Sequence, residues 1–221
     1  LNMGDESGRY GSGDLYDDTV NEAYSINVDP DTHEYIVQSL GQTARHSGVR
    51  RVVARGGGGN DSIYVGPGVD AELDFEGGAG KDSFTILSGA STSRIDGGEG
   101  DDSILGGMGD GIHYYGGAGK DRFVGGIGDE IIDMGAGNNT IFGNGGNDTI
   151  YIGGGFNTVD TGDGDNLIYV SGTGLVDVKG GAGFDRLVLA PITSTPATPL
   201  TFNAHEFKQG DRTIDFTDAL D

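Results

Sequence analysis

The side chains most able to do chemistry are aspartates that recur at long, nearly regular intervals. Four of them are separated by 21, 20 and 19 residues, namely Asp61, Asp82, Asp102 and Asp121. Each stands at the sixth place of a glycine-rich run. Carboxylates are hard oxygen ligands of the kind calcium prefers, and glycine lets backbone carbonyls converge on one point. The residue types therefore make this row of aspartates a candidate for binding calcium.

These aspartates belong to a nine-residue frame, G-G-x-G-x-D-x-U-x, in which U is a large apolar residue. Most of the 45 glycines lie between residues 56 and 188. Clear copies begin at Gly56, Gly77, Gly97, Gly116 and Gly180, and weaker ones at Gly106, Gly125, Met134, Gly143, Ile152 and Thr161. So many copies in register indicate a repeat protein whose units stack on one another.

Each copy has a simple local structure. Its first six residues form a turn, and its last three alternate polar, apolar and polar, which predicts a short strand that buries one side chain. Each copy reverses the chain once, so two copies complete a coil of about eighteen residues and the strands stack in parallel on two faces. The predicted fold class is an all-β parallel β-roll solenoid.

The repeat resembles the calcium-binding nonapeptide repeat of the repeat-in-toxin (RTX, or hemolysin-type) family over about residues 56 to 188. The resemblance implies a right-handed roll that binds several calcium ions between coils, through the sixth-position aspartate and carbonyls of the glycine-rich turn. The resemblance implies that backbone carbonyls of the turn glycines are calcium ligands, and these glycines are Gly57, Gly59, Gly77, Gly78, Gly80, Gly97, Gly98, Gly100, Gly116, Gly117 and Gly119.

Copies that alternate faces divide the turns into two columns. The first column has turns that start at 56, 77, 97, 116, 134 and 152, which are 18 to 21 residues apart. Its carboxylates predict three full sites, between Asp61 and Asp82, Asp82 and Asp102, and Asp102 and Asp121. The next two sixth positions are Asn139 and Asn157, whose amides can form hydrogen-bonded ladders without metal. We expect those later turns to bind metal weakly or not at all.

The second column has turns that start near 68, 88, 106, 125, 143, 161 and 180. Its sixth positions run Leu73, Ser93, Gly111, Glu130, Asp148, Asn166 and Asp185. The early part of this column lacks ligands, and its best candidate site lies between Glu130 and Asp148. The fifth positions of both columns add the candidate ligands Asn60, Asp101, Asp129, Asn147 and Asp165.

The eighth positions predict a thin core of two apolar ladders, in keeping with a hydrophobic content of only 34%. The first ladder is Ile63, Phe84, Ile104, Phe123, Ile141 and Val159. The second is Phe75, Ile95, His113, Ile132, Ile150, Ile168 and Leu187, where His113 is the exception and Ile112 an alternative inward residue. Ninth-position tyrosines are expected to face outwards: Tyr64, Tyr114, Tyr151 and Tyr169.

Composition restricts the partners. A formal net charge of -22, from 35 acidic and 13 basic residues, disfavours nucleic acid and anionic lipid and attracts cations. There is no cysteine to form a disulfide staple, and no apolar run of about 18 residues to cross a membrane. The opening LNMGDESGRY lacks the features of a signal peptide, so we expect the chain to begin inside a longer protein.

The flanks read as β caps. We predict a linking cap over residues 1–55 with strands at 23–28, 34–39 and 49–54, the roll over 56–189, and a linker with a C-terminal β-hairpin over 190–221. The hairpin would pair residues 201–207 with 213–217. A faint similarity between the opening residues and the exit of the roll suggests one unit of a tandem array.

No enzyme motif is complete. The H-E-x-x-H zinc motif fails at His33-Glu34, since position 37 is Val, and at His205-Glu206, since position 209 is Gln. The glycine strings lack the Gly-Lys-Ser/Thr of a phosphate loop.

The sequence therefore predicts a non-catalytic, calcium-responsive module of a large secreted or cell-surface protein of adhesin, surface-layer or matrix type. Its expected partners are calcium, neighbouring modules, or surface carbohydrate or protein. The alternative is a carbohydrate-binding, positioning or secretion module of a secreted alginate epimerase, lipase or protease.

Overall fold

The computed structural model describes residues 2–3, 21–39, 41–107, 109–172, 174–189 and 201–204, and within them every helix or strand assigned is a β-strand. Strands are numbered in chain order. Sheet A consists of β1 (Asn2–Met3), β5 (Arg51–Gly58), β7 (Glu72–Ala79), β9 (Arg94–Glu99), β11 (His113–Gly119), β13 (Ile131–Asp133), β14 (Ala136–Gly137), β16 (Thr149–Ile152), β18 (Leu167–Val170) and β20 (Arg186–Leu189).

Sheet B contains the alternate strands. It consists of β2 (Ala23–Val28), β3 (Tyr35–Ser39), β4 (Gln42–His46), β6 (Ser62–Val65), β8 (Ser83–Ile86), β10 (Ser103–Leu105), β12 (Arg122–Val124), β15 (Thr140–Phe142), β17 (Gly155–Asp160), β19 (Gly174–Lys179) and β21 (Thr201–Ala204). From β5 to β20 the chain crosses between the sheets at the glycine-rich turns, and neighbouring strands pair in parallel. The predicted all-β parallel roll is confirmed.

The first core ladder follows the predicted register. Ile63 pairs with Phe84, Phe84 with Ile104, and the series continues through Phe123 and Ile141 to Val159, all of them buried. Val178 adds one more step. This ladder is the contribution of sheet B to a core that lies between the two sheets and is flanked on each edge by a column of turns.

The second ladder corrects the prediction at one coil. Tyr114, and not His113, pairs with Ile95 and Ile132 and is buried, while His113 lies half-buried on the outer face. The turn that starts at Gly106 has one residue more than its neighbours, which shifts the alternation by one. Ile112 is also buried and takes the sixth position of this turn in place of Gly111.

The flanking strands extend the two sheets. β2 pairs in parallel with β6, while β3 and β4 continue sheet B in antiparallel fashion. The predicted strands at 23–28, 34–39 and 49–54 are observed as β2, β3 and β5, and β4 was not predicted. β21 pairs in parallel with β19, and the remainder of the predicted C-terminal hairpin lies outside the described residues.

Candidate metal centre

Sixth-position side chains of the first column form a continuous hydrogen-bonded ladder. The backbone N–H of Asp61 donates to Oδ1 of Asp82 at 2.7 Å, that of Asp82 to Oδ1 of Asp102 at 2.7 Å, and that of Asp102 to Oδ1 of Asp121 at 2.9 Å. The ladder begins at Glu22, whose N–H donates to Oδ1 of Asp61. One oxygen of each carboxylate is thus held by the preceding coil.

The other oxygen of each carboxylate has no donor. Oδ2 is buried and accepts no hydrogen bond in Asp61, Asp82, Asp102 and Asp121. A buried carboxylate oxygen without a partner carries a large desolvation cost, which a cation or a proton can relieve. The turns therefore present a row of oxygens that the protein's own donors leave unsatisfied.

At three of these carboxylates, a backbone carbonyl oxygen from the next turn lies close to the unpaired Oδ2. A Cβ added to Gly56 would lie less than 3.0 Å from both Asp61 Oδ2 and the carbonyl oxygen of Gly77. The same arrangement recurs at the next two turns, with Gly77, Asp82 and Gly97, and with Gly97, Asp102 and Gly116. Glycine at the first position thus leaves a space, lined by a carboxylate and a carbonyl, that any side chain would fill.

The second column repeats this geometry twice. At Gly125 the space is lined by Glu130 Oε2 and the carbonyl oxygen of Gly143, and at Gly143 by Asp148 Oδ2 and the carbonyl oxygen of Thr161. Both carboxylate oxygens are buried and lack a donor. The sixth positions that precede Glu130 in this column carry no carboxylate, and at the last turn Asp185 Oδ1 accepts from Asn166 Nδ2 at 2.9 Å.

Turns with asparagine at the sixth position satisfy their polar groups by hydrogen bonds within the turn. Asn139 keeps the ladder because its Oδ1 accepts from the N–H of Asp121, but its Nδ2 donates to the carbonyl of Met134 at 3.1 Å. In the following turn Asn157 Nδ2 donates to the carbonyl of Gly153. An amide N–H thus reaches a carbonyl of its own turn, where the aspartate turns present only oxygens. These turns need no cation for hydrogen-bond satisfaction.

Burial dominates the electrostatics of the site. It raises the pKa of Asp61 to about 6 and that of Asp102 to about 7, and the neighbouring carboxylates add to both shifts. Burial likewise raises the pKa of Asp82 and of Asp121. In the second column burial raises the pKa of Glu130, and the charge of Asp148 raises it further. All these shifts disfavour the charged form in the absence of a cation.

A pH dependence follows from these shifts. Because the folded pKa values of Asp61 and Asp102 exceed the ordinary value of 3.8, the metal-free fold binds more protons than the unfolded chain between about pH 4 and 7. Its stability must therefore fall as pH rises through that window. We expect the chain in chelator to keep more strand structure at pH 5 than at pH 8, and calcium affinity to change in the opposite direction. A strand content in chelator that rises with pH would contradict this.

The fifth-position candidates have another role in the structure. They are exposed, and their Oδ1 atoms accept backbone N–H groups of the next coil: Asn60 from Lys81, Asp101 from Lys120, Asp129 from Asn147, Asn147 from Asp165, and Asp165 from Phe184. These bonds hold neighbouring turns together on the outside of the roll. The structure does not bring the fifth-position oxygens into the converging sets described above.

Only part of the predicted glycine set joins the converging oxygens. Gly77, Gly97 and Gly116 supply carbonyls, and the first-position glycines also supply the space. Second- and fourth-position glycines stack on each other between coils, as where a Cβ on Gly98 (φ 106°) would collide with the carbonyl of Gly78. The predicted residues that stack in this way are Gly57, Gly59, Gly78, Gly80, Gly98, Gly100, Gly117 and Gly119. They allow the close approach of coils on which the sites depend.

Two residues of the site carry no signal that repeat analysis could use. Glu22 lies outside every repeat copy, yet it takes the first step of the aspartate ladder, is buried, and accepts a hydrogen bond from the Tyr24 hydroxyl at 2.9 Å. Thr161 contributes only its backbone. Within the described part of the chain, no three His, Cys, Asp or Glu side chains cluster as a metal site, and each of the five spaces combines one carboxylate with a backbone carbonyl. Oxygen ligands of this kind suit calcium.

The fold and its repeated oxygen-lined spaces define a calcium-binding parallel β-roll. The family model of the RTX calcium-binding nonapeptide repeat matches residues 53–71, 76–112, 115–129, 125–159 and 142–172. The chain therefore belongs to the RTX calcium-binding repeat family, and its cofactor is Ca²⁺, with several ions across the repeats. Such repeats are typically non-catalytic and are typical of extracellular proteins.

Comparison with curated proteins and with solved structures gave no match. No helix among the described residues is long and apolar enough to cross a membrane.

Proposed function

We propose that this chain is a non-catalytic module of a large secreted or cell-surface protein, of adhesin, surface-layer or matrix type, which folds and stiffens when it binds extracellular calcium. Its charge of -22 keeps it apart from nucleic acid and anionic lipid and raises the local concentration of cations. The roll spans the repeats and is flanked by the linking regions 1–55 and 190–221. Neighbouring modules or surface carbohydrate or protein are its expected partners.

One observation carries this proposal. Carboxylate and carbonyl oxygens converge five times on a space that a glycine leaves open, and no donor of the protein reaches those carboxylate oxygens. Buried carboxylate oxygens without a counter-charge disfavour the compact state, whereas an ion that binds only the folded form stabilises it. Folding is therefore coupled to calcium, and the free calcium concentration decides which state is populated.

The five spaces assign the ions unequally to the two edges. Three lie in the first column, at Asp61, Asp82 and Asp102, and two in the second, at Glu130 and Asp148. The metal thus changes edge near the middle of the roll, where the first column passes to asparagine. Calcium thus staples the first edge in the early part of the roll and the second edge in the later part, where the asparagine turns of the first column are satisfied by hydrogen bonds.

The test is a titration in buffers of fixed free calcium. The module should lack ordered strands at submicromolar free calcium, as in a cytoplasm, and be fully folded at about 1 mM, within the range of extracellular calcium modules. Circular dichroism and equilibrium dialysis on the same samples would give the folding midpoint and the number of ions. Magnesium at equal concentration should not replace calcium, because it demands a tighter octahedral shell. A chain fully folded at submicromolar calcium would refute the proposal.

A further inference from the structure

We propose that Met134 and Asn139 terminate the calcium row, so that Asp121 carries no ion although it belongs to the aspartate series. The inference rests on the proposed function, since it assumes that the oxygen-lined spaces hold calcium. It concerns the fourth turn of the first column, which carries an aspartate like the three turns before it.

Asp121 has the same surroundings as its predecessors on one side. Its Oδ2 is buried without a donor, and it lies less than 3.0 Å from a Cβ added to Gly116. The carboxylate and the first-position glycine are therefore both in place. What differs is the residue that contributes the second oxygen in the other sites.

At the Asp121 site the next turn presents a side-chain methyl group where the other sites have a backbone carbonyl oxygen. The atom nearest to the Gly116 space from the next turn is Cε of Met134, at 2.9 Å from the added Cβ, whereas Gly77, Gly97 and Gly116 present carbonyl oxygens to the preceding turns. Met134 is buried, so its side chain is confined to this space. A thioether methyl offers calcium no ligand and occupies volume that the ion would need.

Asn139 removes the remaining ligand. Its Nδ2 donates to the carbonyl of Met134 at 3.1 Å, so this carbonyl is engaged within its own turn. Thr161 provides an internal comparison, because it also replaces the first-position glycine and yet presents its carbonyl to the space beside Asp148. The neighbouring Asn166 donates through Nδ2 to Gly164 and Asp185 and leaves the Thr161 carbonyl alone. The methionine side chain and the asparagine amide act together to close the Asp121 site.

Two conservative substitutions test this in the full chain. Asp102→Asn should lower the number of bound calcium ions by one, whereas Asp121→Asn should leave it unchanged. Both variants keep the Oδ1 acceptor of the ladder, and asparagine already occupies sixth positions in this roll, so both should fold. Ion counts by equilibrium dialysis with calcium alone, on samples whose strand content has been checked, give the comparison. Loss of one ion from Asp121→Asn would overturn the inference.

A second experiment tests whether an additional calcium site can be created at Asp121. The double variant M134G/N139D removes the methyl and frees the carbonyl, and should bind at least one ion more than the parent. M134L/N139D carries the same added carboxylate but keeps the side-chain bulk, and should bind no more than the parent. Equal counts in all three proteins would overturn the inference. A parent that binds no calcium would instead refute the proposed function, so the two failures are distinguishable.

Discussion

Removal of calcium by a chelator at pH 7.5 is expected to abolish the ordered strands of this protein and to enlarge its hydrodynamic radius. An ion present at about ten times its dissociation constant adds about 1.4 kcal/mol, so five ions together contribute about 7 kcal/mol. Total domain stabilities are typically about 5 to 15 kcal/mol, so the metal-free form has little or no stability left. The buried carboxylates at Asp61, Asp82 and Asp102 then lack any counter-charge.

Circular dichroism and size-exclusion chromatography, with and without chelator, would measure this effect. Calcium added back in excess should restore both signals, whereas sodium at equal ionic strength should not, because it only screens exposed charge. A strand spectrum and an elution volume that stay unchanged in chelator would show that the fold does not depend on its ions.

Conversion of the metal row into an amide ladder should make the first column independent of calcium. The variant D61N/D82N/D102N is expected to bind three fewer ions and to keep more strand structure than the parent in chelator. Asn139 shows why an amide stabilises the metal-free turn. Its Oδ1 accepts the ladder hydrogen bond, and its Nδ2 donates to a carbonyl of its own turn. In saturating calcium the order should reverse, because the variant forgoes the stabilisation by three ions.

A matched control makes the same chemical change on the outside of the roll. D101N/D129N/D165N also exchanges three carboxylates for amides, but at exposed fifth positions whose Oδ1 acceptors are retained. We expect its ion count to equal that of the parent. Loss of ions from this control would instead support the prediction that fifth-position side chains are ligands. Calcium counting and thermal melts in calcium and in chelator distinguish the two triple variants.

The proposed change of the calcium ions from one edge to the other depends on a few residues of each column. In the second column Leu73, Ser93 and Ile112 precede Glu130, and the Ser93 hydroxyl accepts the N–H of Leu73 at 2.9 Å. Apolar and hydroxyl side chains thus complete the turns opposite the aspartate row. Carboxylates appear in this column from Glu130 onwards, beside Asp121 and the asparagines that follow it in the first column. This arrangement limits the number of buried charges in any one coil, and with it the repulsion that calcium must overcome.

The sequence by itself determined the roll, its two columns and the row of candidate carboxylates. Glycine at fixed places and one apolar residue in every nine are local patterns, and a parallel stack converts them directly into register. The first core ladder was predicted residue by residue for that reason. So were the aspartates whose second oxygens lack a donor, because residues at equal repeat positions must stack on one another.

Only the tertiary structure decided the details that depend on contacts between coils. One additional residue in the turn after Gly106 moved Tyr114 inwards in place of His113, since the parallel neighbours fix which residue must face the core. The converging carbonyls, the Met134 methyl and the entry of Glu22 into the ladder involve atoms from different coils. A nine-residue pattern describes one turn, whereas each oxygen-lined space is built between two, and the fit of neighbouring turns decides which carboxylates meet a carbonyl oxygen there.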